Sequence, residues 1–83
     1  MQPKIFTDLS NLRQQECDRP KVLAQELSAC GVIVVTTPQY NTLYVWPINS
    51  NESEVSAWHR ENNSGDTLLF HIDNKILTAH IPE

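Results

Sequence analysis

The side chains that can move protons or attack a substrate are few and are scattered along the 83 residues. Histidine and tyrosine act as general acids and bases, and a cysteine thiolate acts as a nucleophile when a base lies beside it. Cys17 and His59 could form such a dyad, but no third group at an informative spacing would orient it. For a small enzyme or ligand-binding domain, the available groups are His59, His71, His80, Tyr40 and Cys17.

The spacing of possible ligands disfavours metal and phosphate binding. His71 and His80 fall on one face of a predicted β-ribbon, but they would lie about 13 Å apart along the strands. Two ligands of one zinc ion cannot be that far apart. Gly31 and Gly65 stand alone, whereas a phosphate-binding loop needs several close glycines leading into a helix. We therefore expect no metal and no cofactor.

Charge and hydropathy exclude further classes of function. The net charge of −4 argues against direct nucleic-acid binding, because contacts from lysine and arginine to phosphates supply most of that affinity. No apolar run approaches the roughly 18 residues of a membrane span, and no apolar leader follows Met1. We expect a cytoplasmic protein with Cys17 and Cys30 as free thiols, Cys30 being part of the core.

The strongest functional candidate is a group of aromatic and acidic residues in the central region. Tyrosine and tryptophan are favoured anchors of protein interfaces, and carboxylates complement basic surfaces. We predict an inhibitor, immunity or adaptor type of module that binds a protein partner with a basic surface. A solvated helix start explains the carboxylates equally well. The candidate contact residues are Tyr44, Trp46, Glu52, Glu54, Trp58 and Glu61.

The elements that position these residues begin with helices. Residues 4–7 could form a short strand and residues 8–15 a helix. Proline is tolerated in a first helical turn, and glycine readily adopts the left-handed backbone conformation that ends a helix. Pro20 and Gly31 therefore predict a helix over residues 20–30. Leu23, Leu27 and Cys30 would line its inner face.

A further helix follows a run of capping residues. Asn51 and Glu54 have the spacing of a capping box, and this pattern predicts a helix that ends near residue 62. Val55 and Trp58 would lie on its inner face.

Two hairpins complete the chain. Residues 32–37 are β-branched and predict a strand, with a turn at residues 38–41 and a returning strand over 42–46. Residues 66–81 predict a second hairpin that turns at Asp73 and Asn74. Its core face would carry three cross-strand pairs: Ile72 with Lys75, Phe70 with Leu77, and Leu68 with Ala79.

Together these elements predict a single α+β domain over residues 1–83, with a four-stranded, mostly antiparallel sheet and two or three helices packed on it. The first hairpin is apolar on both faces. Either helices cover both faces, or one face meets a second chain, and the small core of an 83-residue chain favours a partner. A symmetric homodimer is the simplest such partner, and a structural subunit of a larger assembly remains a further alternative.

Overall fold

The computed structural model describes residues 2–7, 19–62 and 65–80. Seven elements occur in these ranges, in the order β1 (Lys4–Phe6), α1 (Arg19–Ala29), β2 (Val34–Thr36), β3 (Leu43–Val45), α2 (Glu52–Asn62), β4 (Thr67–Ile72) and β5 (Lys75–His80). The α+β class is therefore confirmed. The helix predicted over residues 8–15 lies outside the described residues.

The five strands form one antiparallel sheet in the order β1-β3-β2-β4-β5. The prediction of four strands was wrong, because β1 joins the sheet as an additional edge strand. Its central residue Ile5 pairs with Tyr44 of β3. A short strand over residues 4–7 was considered, but three residues carry too little alternation to indicate that it would join the sheet beside a partner this distant in sequence.

The hairpin of β4 and β5 has the predicted register at every position. Ile72 pairs with Lys75 next to the turn, and the pairing continues to Thr67 with His80. Asp73 and Asn74 have φ angles of 52° and 65°, as a two-residue type I′ turn requires. Asp and Asn tolerate this left-handed conformation better than most residues, which explains why the turn was visible in the sequence.

Helix α1 ends where Gly31 predicts, but its inner face differs from the prediction. Gly31 has a φ of 93°, and the Gly31 and Val32 N–H groups donate to the carbonyls of Ser28 and Leu27 in a Schellman motif. The residues buried against the sheet include Ala24 and Ser28.

Leu23, by contrast, is 47% exposed, and Cys30 is an exposed free thiol. The predictions that Leu23 lines the inner face and that Cys30 belongs to the core were therefore wrong. Small side chains let α1 approach the sheet closely. The Ser28 hydroxyl also accepts a hydrogen bond from Asn74 N–H at 3.2 Å.

Helix α2 begins as predicted. Asn51 Oδ1 accepts from Glu54 N–H at 2.9 Å, and the Asn51 amide group donates to Glu54 Oε1 at 3.3 Å. Val55 and Trp58 are buried, as expected for its inner face, and His59 is buried beside them.

The two helices lie on opposite faces of the sheet. Val34 packs with Ala24 of α1, whereas Val35 packs with Val55 of α2, and successive strand residues point to opposite faces. Both valines have no exposed surface. Both faces of β2 are thus covered within one chain, which is the first of the two explanations considered for its apolar residues.

Candidate functional site

The outer face of α2 is polar and open to solvent, and exposed carboxylates lie near both ends of the helix. Glu52 and Glu61 are exposed, and Asp66 is exposed just beyond the end of the helix. A shallow depression on this face is lined by Glu52, Ser53, Ser56 and Arg60. We define the acidic surface as Glu52, Glu61 and Asp66 with this depression.

Most of the net charge of the chain is concentrated around this surface. Residues 52–66 contain four acidic residues and a single basic one, a net charge of −3. The other residues of the chain carry the remaining net charge of −1. A potential of one sign over one part of a small protein increases the rate of encounter with an oppositely charged partner.

Glu54 differs from the other predicted contact carboxylates. Its side chain is half-buried and is held by the amide of Asn51. The backbone N–H of Glu54 lies in the first helical turn, where it has no carbonyl partner within the helix, and it donates to Asn51 Oδ1 instead. Glu54 therefore has a defined role in starting α2, whether or not it also contacts a partner.

The three predicted aromatic residues come together, but in the core beneath α2. The Trp58 ring meets Tyr44 at 4.7 Å between ring centroids and Trp46 at 5.4 Å, both edge to face. Trp46 is 2% exposed and Trp58 is 9% exposed, while Tyr44 is half-buried. The aromatic rings lie under the helix and the carboxylates lie on its outside, so the two halves of the predicted surface are separate.

His71 forms a buried pair with Tyr40 on the α1 side of the sheet. Its Nε2 lies 3.1 Å from the Tyr40 hydroxyl, and the ring has no exposed surface. Burial lowers the pKa of His71 below its ordinary value, because loss of hydration disfavours the charged ring. The nearby carbonyls of Leu69 and Val34 oppose this effect less strongly, and Lys21 adds to it. His71 is therefore a neutral residue of the interior at neutral pH.

His59 is a buried residue whose role the sequence analysis missed. Its Nε2 lies 3.0 Å from the carbonyl oxygen of Asp66 and its ring packs on Phe70. This bond ties the end of α2 to the start of β4. The signal was present in the sequence, because residues 55, 58 and 59 share one face of a helix.

The groups available for catalysis do not converge. His71 lies on the α1 side of the sheet, and His59 packs against Phe70 on the α2 side. His80 is exposed and its Nδ1 lies 3.0 Å from the Thr67 hydroxyl. Cys17 lies outside the described residues. In the ranges that the structure describes, no three His, Cys, Asp or Glu side chains are grouped to hold a metal ion.

No protein family, curated protein or solved structure matches this chain. Among the described helices, none has the length and apolar character needed to cross a bilayer.

Proposed function

We propose that this protein is a non-enzymatic interaction module that binds a protein with a basic surface. The observation that carries the proposal is the concentration of three of the four net negative charges in residues 52–66, where Glu52, Glu61 and Asp66 are exposed. The partner is a protein whose contact face is rich in lysine and arginine, such as an enzyme that binds nucleic acid. Inhibitor, immunity and adaptor proteins act in this way.

The rigid support beneath the surface also favours this proposal. Trp58 and Val55 anchor α2 on the sheet, and Asn51 fixes its first turn. A rigid helix face loses little conformational entropy when a partner docks on it. The enzyme alternative has weaker support, because the buried histidines lie on opposite sides of the sheet and one of them is bonded to a backbone carbonyl.

The test compares two variants with equal net charge. E52Q/E61Q removes two carboxylates from the acidic surface, and E26Q/D73N removes two exposed carboxylates elsewhere. Each pair changes the net charge from −4 to about −2 by simple charge counting. Glutamine and asparagine preserve size, so folding should be similar in both variants.

The wild-type chain and both variants are immobilised as baits and incubated with a lysate of the source organism. Each captured protein is purified, and its association rate with each bait is measured. Each carboxylate contributes about 0.5 kcal/mol at 8 Å in water. We therefore expect E52Q/E61Q to slow association with the purified partner roughly fivefold at low salt. E26Q/D73N should retain the wild-type rate within about twofold, and added salt should reduce the difference.

Two results would contradict the proposal. One is a purified partner that binds E52Q/E61Q as fast as wild type at every salt concentration. The other is the failure of the wild-type bait to retain any protein in a larger amount than the E52Q/E61Q bait retains.

A further inference from the structure

The two edges of the sheet differ in how well they are protected from further pairing. β1 has three residues, follows Pro3 and begins with Lys4, and short length, proline and lysine are common devices for blocking an edge. β5 is twice as long, with six residues, contains no proline within the strand and carries a single charged residue, Lys75 at its start, while Pro82 comes two positions after its end. It pairs with β4 without a bulge. In the described part of the chain, no strand pairs with the outer edge of β5.

The register of the hairpin determines which backbone groups of β5 point outward. Residues that flank a two-residue turn form a hydrogen-bonded pair, and hydrogen-bonded pairs then alternate with non-bonded pairs. Lys75, Leu77 and Ala79 therefore direct their N–H and C=O groups toward β4. Those of Ile76, Thr78 and His80 point out of the sheet and have no strand partner among the described residues.

The side chains beside this open edge include two large apolar ones. Ile76 is 40% exposed on the α1 face and Leu77 is 46% exposed on the α2 face. A strand that is apolar on both flanks and lacks edge protection is typical of a strand that pairs with another chain.

We propose that β5 is the dimerisation strand of this protein and pairs antiparallel with β5 of a second copy about a twofold axis at Thr78. In this register Thr78 lies opposite Thr78 of the second copy, and Ile76 lies opposite its His80. Each outward-facing residue then forms both of its main-chain hydrogen bonds. Two five-stranded sheets become one continuous sheet.

The side chains of β5 fit a second copy in this register. Leu77 lies beside Ala79 of the other chain, which covers its exposed surface on the α2 face. Threonine opposite threonine is a favourable cross-strand pair. The two Lys75 residues are about 20 Å apart at roughly 3.4 Å per residue, farther than the Debye length of about 8 Å at physiological salt. No like charges oppose each other within residues 75–80.

The predicted dimer is of moderate strength. Pairing two six-residue edges buries less than the roughly 800 Å² per partner of a standard interface. We therefore expect a dissociation constant on the order of 10 µM. This proposal does not depend on the acidic surface, because the pairing residues lie on β5 and not on α2.

A charge exchange at Thr78 tests the proposal. Thr78 is exposed, so T78K and T78E leave the interior unchanged. Asn49→Lys is the control, because it adds the same positive charge as T78K at an exposed position outside the sheet. The wild-type mass by light scattering should rise from 9.5 kDa to twice that value between about 1 and 300 µM. T78K and T78E should each raise the dissociation constant of the dimer by up to about fivefold, because like charges then face each other across the axis. Asn49→Lys should behave as wild type.

An equal mixture of T78K and T78E should restore the dimer, because lysine then faces glutamate. Circular dichroism of each variant establishes that it is folded. A wild-type chain that stays at 9.5 kDa over the whole range would overturn the proposal, and β5 would then be open to a different protein. A dimer unaffected by T78K and T78E, or a mixture that remains monomeric, would also overturn it.

Discussion

Two adjacent threonines should respond in opposite directions to the same substitution. Thr36 is fully buried in β2, and its Oγ1 forms no hydrogen bond with any described residue. Thr37 is only partly buried, and its Oγ1 accepts from the backbone N–H of Asn41 at 3.1 Å and of Thr42 at 3.4 Å. Valine has nearly the shape of threonine and replaces the hydroxyl with a methyl group. Thr36→Val therefore measures how an unpaired buried hydroxyl affects stability, and Thr37→Val measures how a hydrogen-bonded hydroxyl affects it.

The magnitudes follow from the cost of burying a polar group. A buried hydroxyl without a partner costs about 1–3 kcal/mol, and a typical hydrogen bond contributes about 1 kcal/mol. Valine also suits a strand at least as well as threonine. We expect Thr36→Val to raise the unfolding free energy by about 1–2 kcal/mol, and Thr37→Val to lower it by about 1 kcal/mol. For a domain of this size, 1 kcal/mol changes the melting temperature by about 4–8 °C.

The assay is urea and thermal unfolding followed by circular dichroism, with Thr36→Ser as a third variant. Thr36→Ser keeps the hydroxyl and loses the methyl group, so it should be less stable than wild type by about 1 kcal/mol. A Thr36→Val variant that is less stable than wild type would refute the reasoning. That result would mean that the Thr36 hydroxyl has a hydrogen-bond partner in the folded protein.

Three other substitutions or conditions test separate features. The unfolding free energy should fall as the pH drops from 7 through the ordinary histidine pKa of about 6.5, because the unfolded chain binds a proton that buried His71 takes up only at lower pH. His71→Gln should flatten this part of the stability profile measured by urea unfolding at each pH. Asn51→Ala should lower the unfolding free energy by about 1 kcal/mol through loss of the helix cap, whereas Asn49→Ala at an exposed position should change it by less than about 0.5 kcal/mol. Gly31→Ala should cost about 1–2 kcal/mol in thermal unfolding from the left-handed backbone alone, since an added Cβ meets no atom within 4 Å.

The parts of the fold that the sequence predicted are those set by local chemistry. Asp73 and Asn74 specify a turn by their own conformational preferences, so the whole register of β4 and β5 could be counted outward from them. Gly31 ends α1 and Asn51 starts α2 through contacts within a few residues. The strand order and the place of β1 depend on pairings between distant segments, which local preferences do not encode.

The candidate site was predicted less well, because burial depends on which elements pack together. The sequence around Trp46 and Trp58 is compatible with either an interface or a core position for these side chains. Only the packing of α2 on the sheet determines that they are core residues. His71 occupies a strand position on the face opposite the predicted core. That face is covered by α1. The apolar residues on both sides of β2 required a cover there but did not decide between a helix and a second chain.

The pairing of β2 with β4 has a consequence for how the protein folds. It joins Val34–Thr36 to strand residues more than thirty positions later, whereas β2–β3 and β4–β5 are each closed by a short turn. Short hairpins form in about 1–10 µs, but neither of these can bury both of its faces alone. Closure of the long loop carries the larger entropy cost and precedes most of the apolar burial. Folding should therefore be cooperative, and the backbone amides of β2 should exchange with solvent only when the whole molecule opens.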